Sequence, residues 1–166
     1  KVGISKGGKN QLEIKEVFGF ESFWNEILIP NLAQKHQAKP VHSLEEITKL
    51  KALFPDNIRQ FNVYEKGVLV AGTTIFEAAN VAHSQYISGK EEKNELGGLD
   101  LLHYHLLTEV YKEKKFFDFG ISNEEQGRNL NKGLSYWKES FGASTIVHDF
   151  YEVETINFTK LENILK

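Results

Sequence analysis

Three apolar, β-branched stretches at residues 58–65, 68–78 and 81–88 follow one another with almost nothing between them, and this limits the fold more than any other feature. Only Lys66-Gly67 and Ala79-Asn80 separate them. A parallel crossover needs a dozen or more residues, so connections this short predict an antiparallel meander.

The flanking segments change period. Residues 11–17 alternate, with Leu12 and Ile14 on one side and Glu13 and Lys15 on the other, and predict a half-buried strand. Residues 20–33 place Phe20, Phe23, Trp24, Ile27 and Leu28 on one helical stripe, with Pro30 expected to kink or end the helix. Ser43 and Glu46 form a capping box that opens a helix through Leu44, Ile47, Leu50 and Leu53, with Pro55 at its end. Downstream, residues 99–112 predict an apolar helix, 116–121 a buried strand, 128–140 a helix and 145–153 a last strand. Thr159 to Glu162 is a second capping box, expected to open a terminal helix with Leu161, Ile164 and Leu165 as its apolar face. The fold class is α+β, a mixed central sheet with helices on both faces.

Composition narrows the function. The 166 residues are 40% hydrophobic and include twelve Phe, enough for a core without staples. Zero Cys excludes disulfides, thiolate metal sites and a cysteine nucleophile. His36, His42, His103, His105 and His148 show no metal spacing, so no metal is assigned. No stretch approaches the roughly 18 apolar residues of a membrane span, and no secretory signal is visible, so the expected location is cytoplasmic. A net charge of -3 disfavours autonomous binding of DNA or RNA. With zero Met and a start at Lys1, the chain reads as a piece of something longer.

Several polar residues sit where a core is expected. Asp118 lies in the apolar run 116–121, where desolvation raises a carboxyl pKa unless something compensates. A site role and a structural role against a buried donor are both open. Strict alternation puts His83 and Gln85 on one strand face with Val81 and Ile87, and Tyr86 on the other. Ser122 is expected to cap the following helix, whereas Asn123 and Glu124 fall in the loop beyond a strand's carboxyl end, a usual place for ligand contacts. In that helix Leu130, Leu134, Trp137 and Phe141 are the expected buried stripe, and Asn131, Ser135 and Lys138 form an adjacent polar row.

The element order, together with Phe116-Phe117-Asp118-Phe119-Gly120-Ile121-Ser122, Gly133-Leu134 and Lys138-Glu139-Ser140-Phe141-Gly142-Ala143, resembles the second GNAT-like domain of the FemABX group and related FemAB-like acetyltransferases. Trp137 stands where the group's helix-end pattern has Phe. Lys39 to Ser43, His83-x-Gln85-Tyr86 and Gly97-Gly98-Leu99-Asp100 look like a bacterial subgroup of that family. The resemblance implies a GNAT-like domain over residues 11–153, the end of an interdomain connection at 1–10, and a tail at 154–166. It also implies a GNAT-like domain N-terminal to this one.

The resemblance further implies an N-acyltransferase that joins an acyl group to an amine of a sugar, peptide or cell-envelope precursor. Donors in such domains lie where two neighbouring parallel strands splay apart, here residues 81–88 and 116–121. Asp118, Lys138 and His83 are the expected catalytic residues, and Gln85, Tyr86, Asn123, Glu124 and Asn131 the expected substrate-binding ones. Gly97, Gly98 and Lys93 are the expected contacts to acetyl-CoA or another acyl-CoA, although Asn94 to Leu99 matches a pyrophosphate loop only in degenerate form. Glu91, Glu92 and Glu95 outnumber Lys90 and Lys93 there, which weakens that assignment. Aminoacyl-tRNA is the alternative donor, and a catalytically silent GNAT-like binding module the alternative class.

Overall fold

Lys66 and Gly67 both take positive φ, +48° and +82°, the backbone of the two-residue hairpin turn that matches strand twist. That turn sets the register of the sheet. The computed structural model describes residues 2–161. It places β1 (Leu12–Val17), β2 (Ile58–Glu65), β3 (Val68–Glu77) and β4 (Val81–Gly89) in one antiparallel meander. The fifth strand, β5 (Phe116–Asp118), adds to β4 in parallel, so the sheet is mixed and runs β1-β2-β3-β4-β5.

Helices cover both faces. Ahead of β1, Val2–Lys9 form α1. On one face lie α2 (residues 21–36) and α3 (Leu44–Leu53), around a core of Phe20, Phe23, Trp24, Ile27 and Ile47. The predicted capping box of α3 is present in both directions, Ser43 with Glu46. Pro30 does not end α2: the turn Trp24–Leu28 just before it is π-helical, and this wider turn falls where proline removes a donor from the ladder. The other face carries α4 (residues 98–110) over Phe61, Val63, Ala71, Ile75, Leu102 and Leu106. Gly98 lets α4 approach, since a Cβ there would stand 3.3 Å from the Cβ of Ala71.

The second half departs from expectation in three places. The strand at 116–121 stops at Asp118, because the Asp118 carboxylate accepts the N–H of Gly120 at 2.7 Å and turns the chain through Gly120 at φ +72°. Ser122 does not cap a helix. Instead β6 (Asn123–Glu124) and β7 (Asn129–Leu130) form a hairpin through Glu125, Gln126 and Gly127, all at positive φ. Helix α5 (Lys132–Glu139) then starts at Asn131, whose Oδ1 accepts the Leu134 N–H. Residues 145–153, expected as a last strand, pair with no strand among the described residues, and Phe150 is 91% exposed. The capping box at Thr159 to Glu162 lies outside the described residues; Thr155–Leu161 are a 3-10 helix. No helix of the described residues is long and apolar enough to cross a membrane.

His103 joins α4 to the second half. Fully buried, it meets Leu99 O through Nδ1 at 2.9 Å and Ser84 Oγ through Nε2 at 3.4 Å. Phe117, Phe119, Trp137 and Phe141 surround the ring. The expected stripe on α5 is therefore buried only in part: Trp137 and Phe141 pack here, while Leu130 and Leu134 are exposed. Burial pushes the His103 pKa down to about 4, against the opposing bond to Leu99 O. Unfolding returns the ring to an ordinary value near 6.5, so its contribution is whole above about pH 6.5 and is lost as pH falls toward 4. Urea unfolding across that range will show a steeper loss of stability for the natural protein than for His103→Gln; parallel curves would refute the assignment.

Candidate active site

Strands β4 and β5 pair only at Val81↔Phe116, Ala82↔Phe117 and His83↔Asp118. Beyond this last pair β5 turns away while β4 runs on to Gly89, and the two parallel strands part. At the parting the two side chains join: His83 Nδ1 lies 2.8 Å from Asp118 Oδ2. Asp118 Oδ1 holds the Gly120 amide, so both carboxylate oxygens are engaged. His83 Nε2 lies 3.1 Å from Gln85 Oε1.

Asp118 escapes the shift that its apolar neighbours predict. Burial pushes its pKa up, but the Gly120 amide, His83 and Lys138 outweigh it, and the carboxyl lies below the ordinary range. It is ionised at neutral pH. An ionised Asp118 favours the tautomer with the proton on Nδ1; the Nε2 lone pair is then an acceptor, and Gln85 bonds to it only by turning its amide NH2, rather than Oε1, toward the ring. With its side chain 32% exposed, His83 is open to a ligand. Gly120 lies beside the ring: any side chain there would be strained at φ +72°, and an added Cβ would come into ordinary contact with His83 Cε1 at 3.5 Å.

Gln85 reaches Nε2 because of a bulge. Thr74 pairs with Tyr86 and Ile75 with Ser84, which leaves Gln85 as an extra residue in β4. The bulge also corrects the expected parity. Ser84 faces His103 under α4, whereas Tyr86 faces Trp24 and His42 under α2. Tyr86 thus lies on the sheet face of His83, whose cross-strand partner Phe76 packs with the same core. Its hydroxyl meets His42 Nδ1 at 2.7 Å and accepts the His42 N–H at 3.0 Å, and burial pushes its pKa up. Tyr86 therefore pins the loop between α2 and α3.

Lys138 belongs to the site indirectly. Instead of facing solvent it is 6% exposed, and its ammonium donates to Gly120 O at 2.9 Å and Ile121 O at 2.6 Å. Burial pushes its pKa down, and Asp118 opposes this. Lys138 clamps the turn that carries Gly120. The remaining candidates lie apart from the His83 cluster. Asn123 Nδ2 donates to Gly127 O at 3.1 Å, and Glu124 accepts Asn131 Nδ2 at 2.8 Å, so these three tie the hairpin to the cap of α5. Lys93 is paired with Glu65 at 2.9 Å. Gly97 takes φ +75° before α4.

Sequence reasoning missed a cavity of about 230 Å³ between α2 and the far end of β4. Leu28, Leu32, Ile87 and Leu99 line it, with Asn31 and Ser88 among its polar groups. Asn31 donates to Ser88 Oγ at 2.8 Å and Gly89 O at 2.7 Å. On a helix surface Asn31 reads as an ordinary solvent residue, and only the tertiary fold brings it to β4. Among the described residues no group of three or more His, Cys, Asp or Glu is placed to hold a metal ion.

No family model and no curated protein matches this sequence. Solved structures do. An aminoglycoside acetyltransferase from an uncultured soil metagenomic sample, in complex with sisomicin, superposes with TM-score 0.56 at 17% identity, over 88% of this chain and 99% of its own. FemX superposes with TM-score 0.66 at 10% identity over 84% of this chain, which spans 52% of FemX. A possible acetyltransferase from Clostridium difficile 630 gives TM-score 0.60 at 15% identity, over 87% of this chain and 97% of its own. The chain has the GNAT-like acyltransferase fold that FemX shares.

Replacing Lys138 with Met leaves the carbonyls of Gly120 and Ile121 without their donor, at a cost of about 1–3 kcal/mol. Lys138→Met will lower the urea midpoint and speed amide exchange at Gly120; unchanged exchange there would show that Lys138 does not hold this turn.

Proposed function

We propose that this protein is a GNAT-type N-acyltransferase of the FemAB-like kind, with His83 as general base, Asp118 as its orienting partner and an acyl-CoA-type thioester as donor. The observation that carries this reading is the hydrogen-bonded His83 and Asp118 at the point where β4 and β5 part. The acceptor is an amine of a sugar, peptide or cell-envelope precursor. A second GNAT-like domain N-terminal to this one belongs to the same reading, supported by a match that spans half of FemX.

The chemistry balances without a covalent enzyme intermediate. The neutral amine displaces Gln85 from Nε2 and attacks the thioester carbonyl carbon, and a C–N bond forms as the carbonyl electrons move to oxygen. His83 Nε2 takes the amine proton, and Asp118 stabilises the imidazolium. The oxyanion then re-forms the carbonyl, the C–S bond breaks, and the departing sulfur leaves as a thiol with the proton from His83. Past His83 the edge of β4 has no pairing with β5, so its backbone groups are available to align an amide-bearing donor as an added strand would be aligned. The net charge of -3 continues to disfavour aminoacyl-tRNA as donor.

Acetyl-coenzyme A at about 100 times its Kd will stabilise the protein by about 2.7 kcal/mol, read as a higher melting temperature. Thiol release from acetyl-coenzyme A with a panel of amino sugars and dipeptides will fall by about 10²–10⁴ in His83→Ala, with Asp118→Asn also impaired and melting shifts retained. Absence of a melting shift in the natural protein would refute the donor reading, and full turnover in His83→Ala would refute the base.

A further inference from the structure

Asp118, His83 and the position now held by Gln85 form a line of groups that does more than an amine requires. The Asp118 carboxylate lies 2.8 Å from His83 Nδ1 and is itself fixed by the Gly120 amide at 2.7 Å. The Gln85 amide stands 3.1 Å from Nε2, the distance at which a proton-donating acceptor would bind the ring. A free amine is a good nucleophile without a base, and an α-amino group loses its proton near pH ~8. A hydroxyl is a weak nucleophile until a base takes its proton, and an imidazole oriented by a carboxylate is the arrangement that activates the serine hydroxyl of hydrolases.

Proton stoichiometry favours the same nucleophile. An amine that arrives as ammonium must shed two protons, one before it can attack and one as the amide forms. A hydroxyl sheds one, and it keeps a lone pair for the carbonyl carbon while it donates to Nε2. Within this cluster Nε2 is the acceptor that opens when Gln85 is displaced. Both Asp118 oxygens are engaged, and the Tyr86 hydroxyl accepts the His42 N–H at 3.0 Å and meets His42 Nδ1 at 2.7 Å.

The surroundings suit a neutral acceptor. Strand β4 carries no carboxylate, and the loop 37–43 between α2 and α3 brings Lys39 and His42. At the start of α3, Glu45 pairs with Lys49 at 2.6 Å and Glu46 accepts the Ser43 N–H at 2.7 Å. Glu77, beside Phe76 on β3, pairs with Lys114 at 2.9 Å and Arg59 at 3.5 Å. Beyond Gly120, Glu124 accepts Asn131 and Glu125 accepts Asn129. Each of these carboxylates already has a partner, so an ammonium meets none held in wait for it. Phe76, the β3 partner of His83, is half-buried with its ring 6.0 Å from that of His42, an apolar floor between two imidazoles. Such a floor edged by neutral hydrogen-bonding groups fits a sugar or another polyol.

We infer that this site also acylates a hydroxyl, forming an ester on a neutral sugar or polyol acceptor. The inference rests on the acyl-donor reading above and adds a second reaction to it. The acceptor O–H donates to His83 Nε2 in place of Gln85. A C–O bond forms at the thioester carbonyl carbon as His83 takes the proton and the carbonyl electrons move to oxygen. The carbonyl then re-forms, the C–S bond breaks, and the sulfur leaves as a thiol with that proton. Thioester and alcohol give ester and thiol, with no further reactant.

Acetyl-coenzyme A with a panel of methyl glycosides, which carry hydroxyls and no amine, tests this beside the matching amino sugars. Thiol release above the acceptor-free rate is expected with the glycosides, and hydroxylamine is expected to remove the acetyl group from the product, as it does from an ester and not from an amide. His83→Ala and His83→Gln are each expected to lower ester formation by about 10²–10⁴, with the melting shift by acetyl-coenzyme A retained. Asp118→Asn is expected to cost ester formation more than amide formation, because a free amine attacks without an oriented base; equal losses would overturn the inference. Acetylation of the amino sugars with no ester on any glycoside would overturn it while leaving the N-acyltransferase reading in place. Neither product, despite a melting shift with acetyl-coenzyme A, would overturn both. Ester formation that survives in both His83 variants would overturn this site as its origin.

Discussion

The candidate site depends on the parting of two parallel strands. Strands β4 and β5 share three residue pairs, and the last of them, His83 with Asp118, is also the hydrogen-bonded pair of side chains. A parallel ladder that stops this early exposes one edge of β4 over its remaining length. Asp118 performs two tasks at once: one carboxylate oxygen turns the backbone at Gly120 and ends β5, and the other orients His83. The interaction that opens the cleft therefore also sets the His83 ring at its mouth.

Two further features keep that geometry. Under the turn, the Lys138 ammonium binds the carbonyls of Gly120 and Ile121, so the chain leaving β5 is held by a buried cation rather than by a sheet neighbour. Within β4, the bulge at Gln85 turns consecutive side chains to suit two cores, Ser84 toward His103 and Tyr86 toward Trp24. Bulges re-aim side chains next to active sites in many sheets, and here the extra residue is the one that reaches His83 Nε2.

Much of this was legible in the sequence because local rules governed it. The meander followed from short turns, with Lys66-Gly67 adopting a left-handed backbone, and α3 followed from its capping box. His83, Gln85 and Asp118 stood out as polar residues in apolar strands, and the structure brings those three together. Other expectations failed where tertiary structure overrode the pattern. Strict alternation cannot register a bulge, so Tyr86 was placed on the wrong face. Ser122 has the spacing of a cap, but three consecutive residues at positive φ close a hairpin there instead. Lys138 shares a stripe with polar residues, and only the carbonyls above it draw the ammonium inward. The cavity at Asn31 and Ser88 joins residues 57 apart in sequence, a contact that no local signal announces.

The fold is shared with acetyltransferases and with FemX at identities of 10–17%, so the chemistry has to be argued from this chain's own residues. The proposed reaction needs a thioester in the gap between β4 and β5 with its reacting carbon beside His83. A crystal structure with acetyl-coenzyme A tests that most directly. Density for the thioester is expected along the unpaired edge of β4, with the acetyl group at the mouth formed by His83, Asp118 and Gly120. Thioester density elsewhere on the molecule, or a gap still closed by Gln85 in a crystal where the ligand is bound, would contradict it.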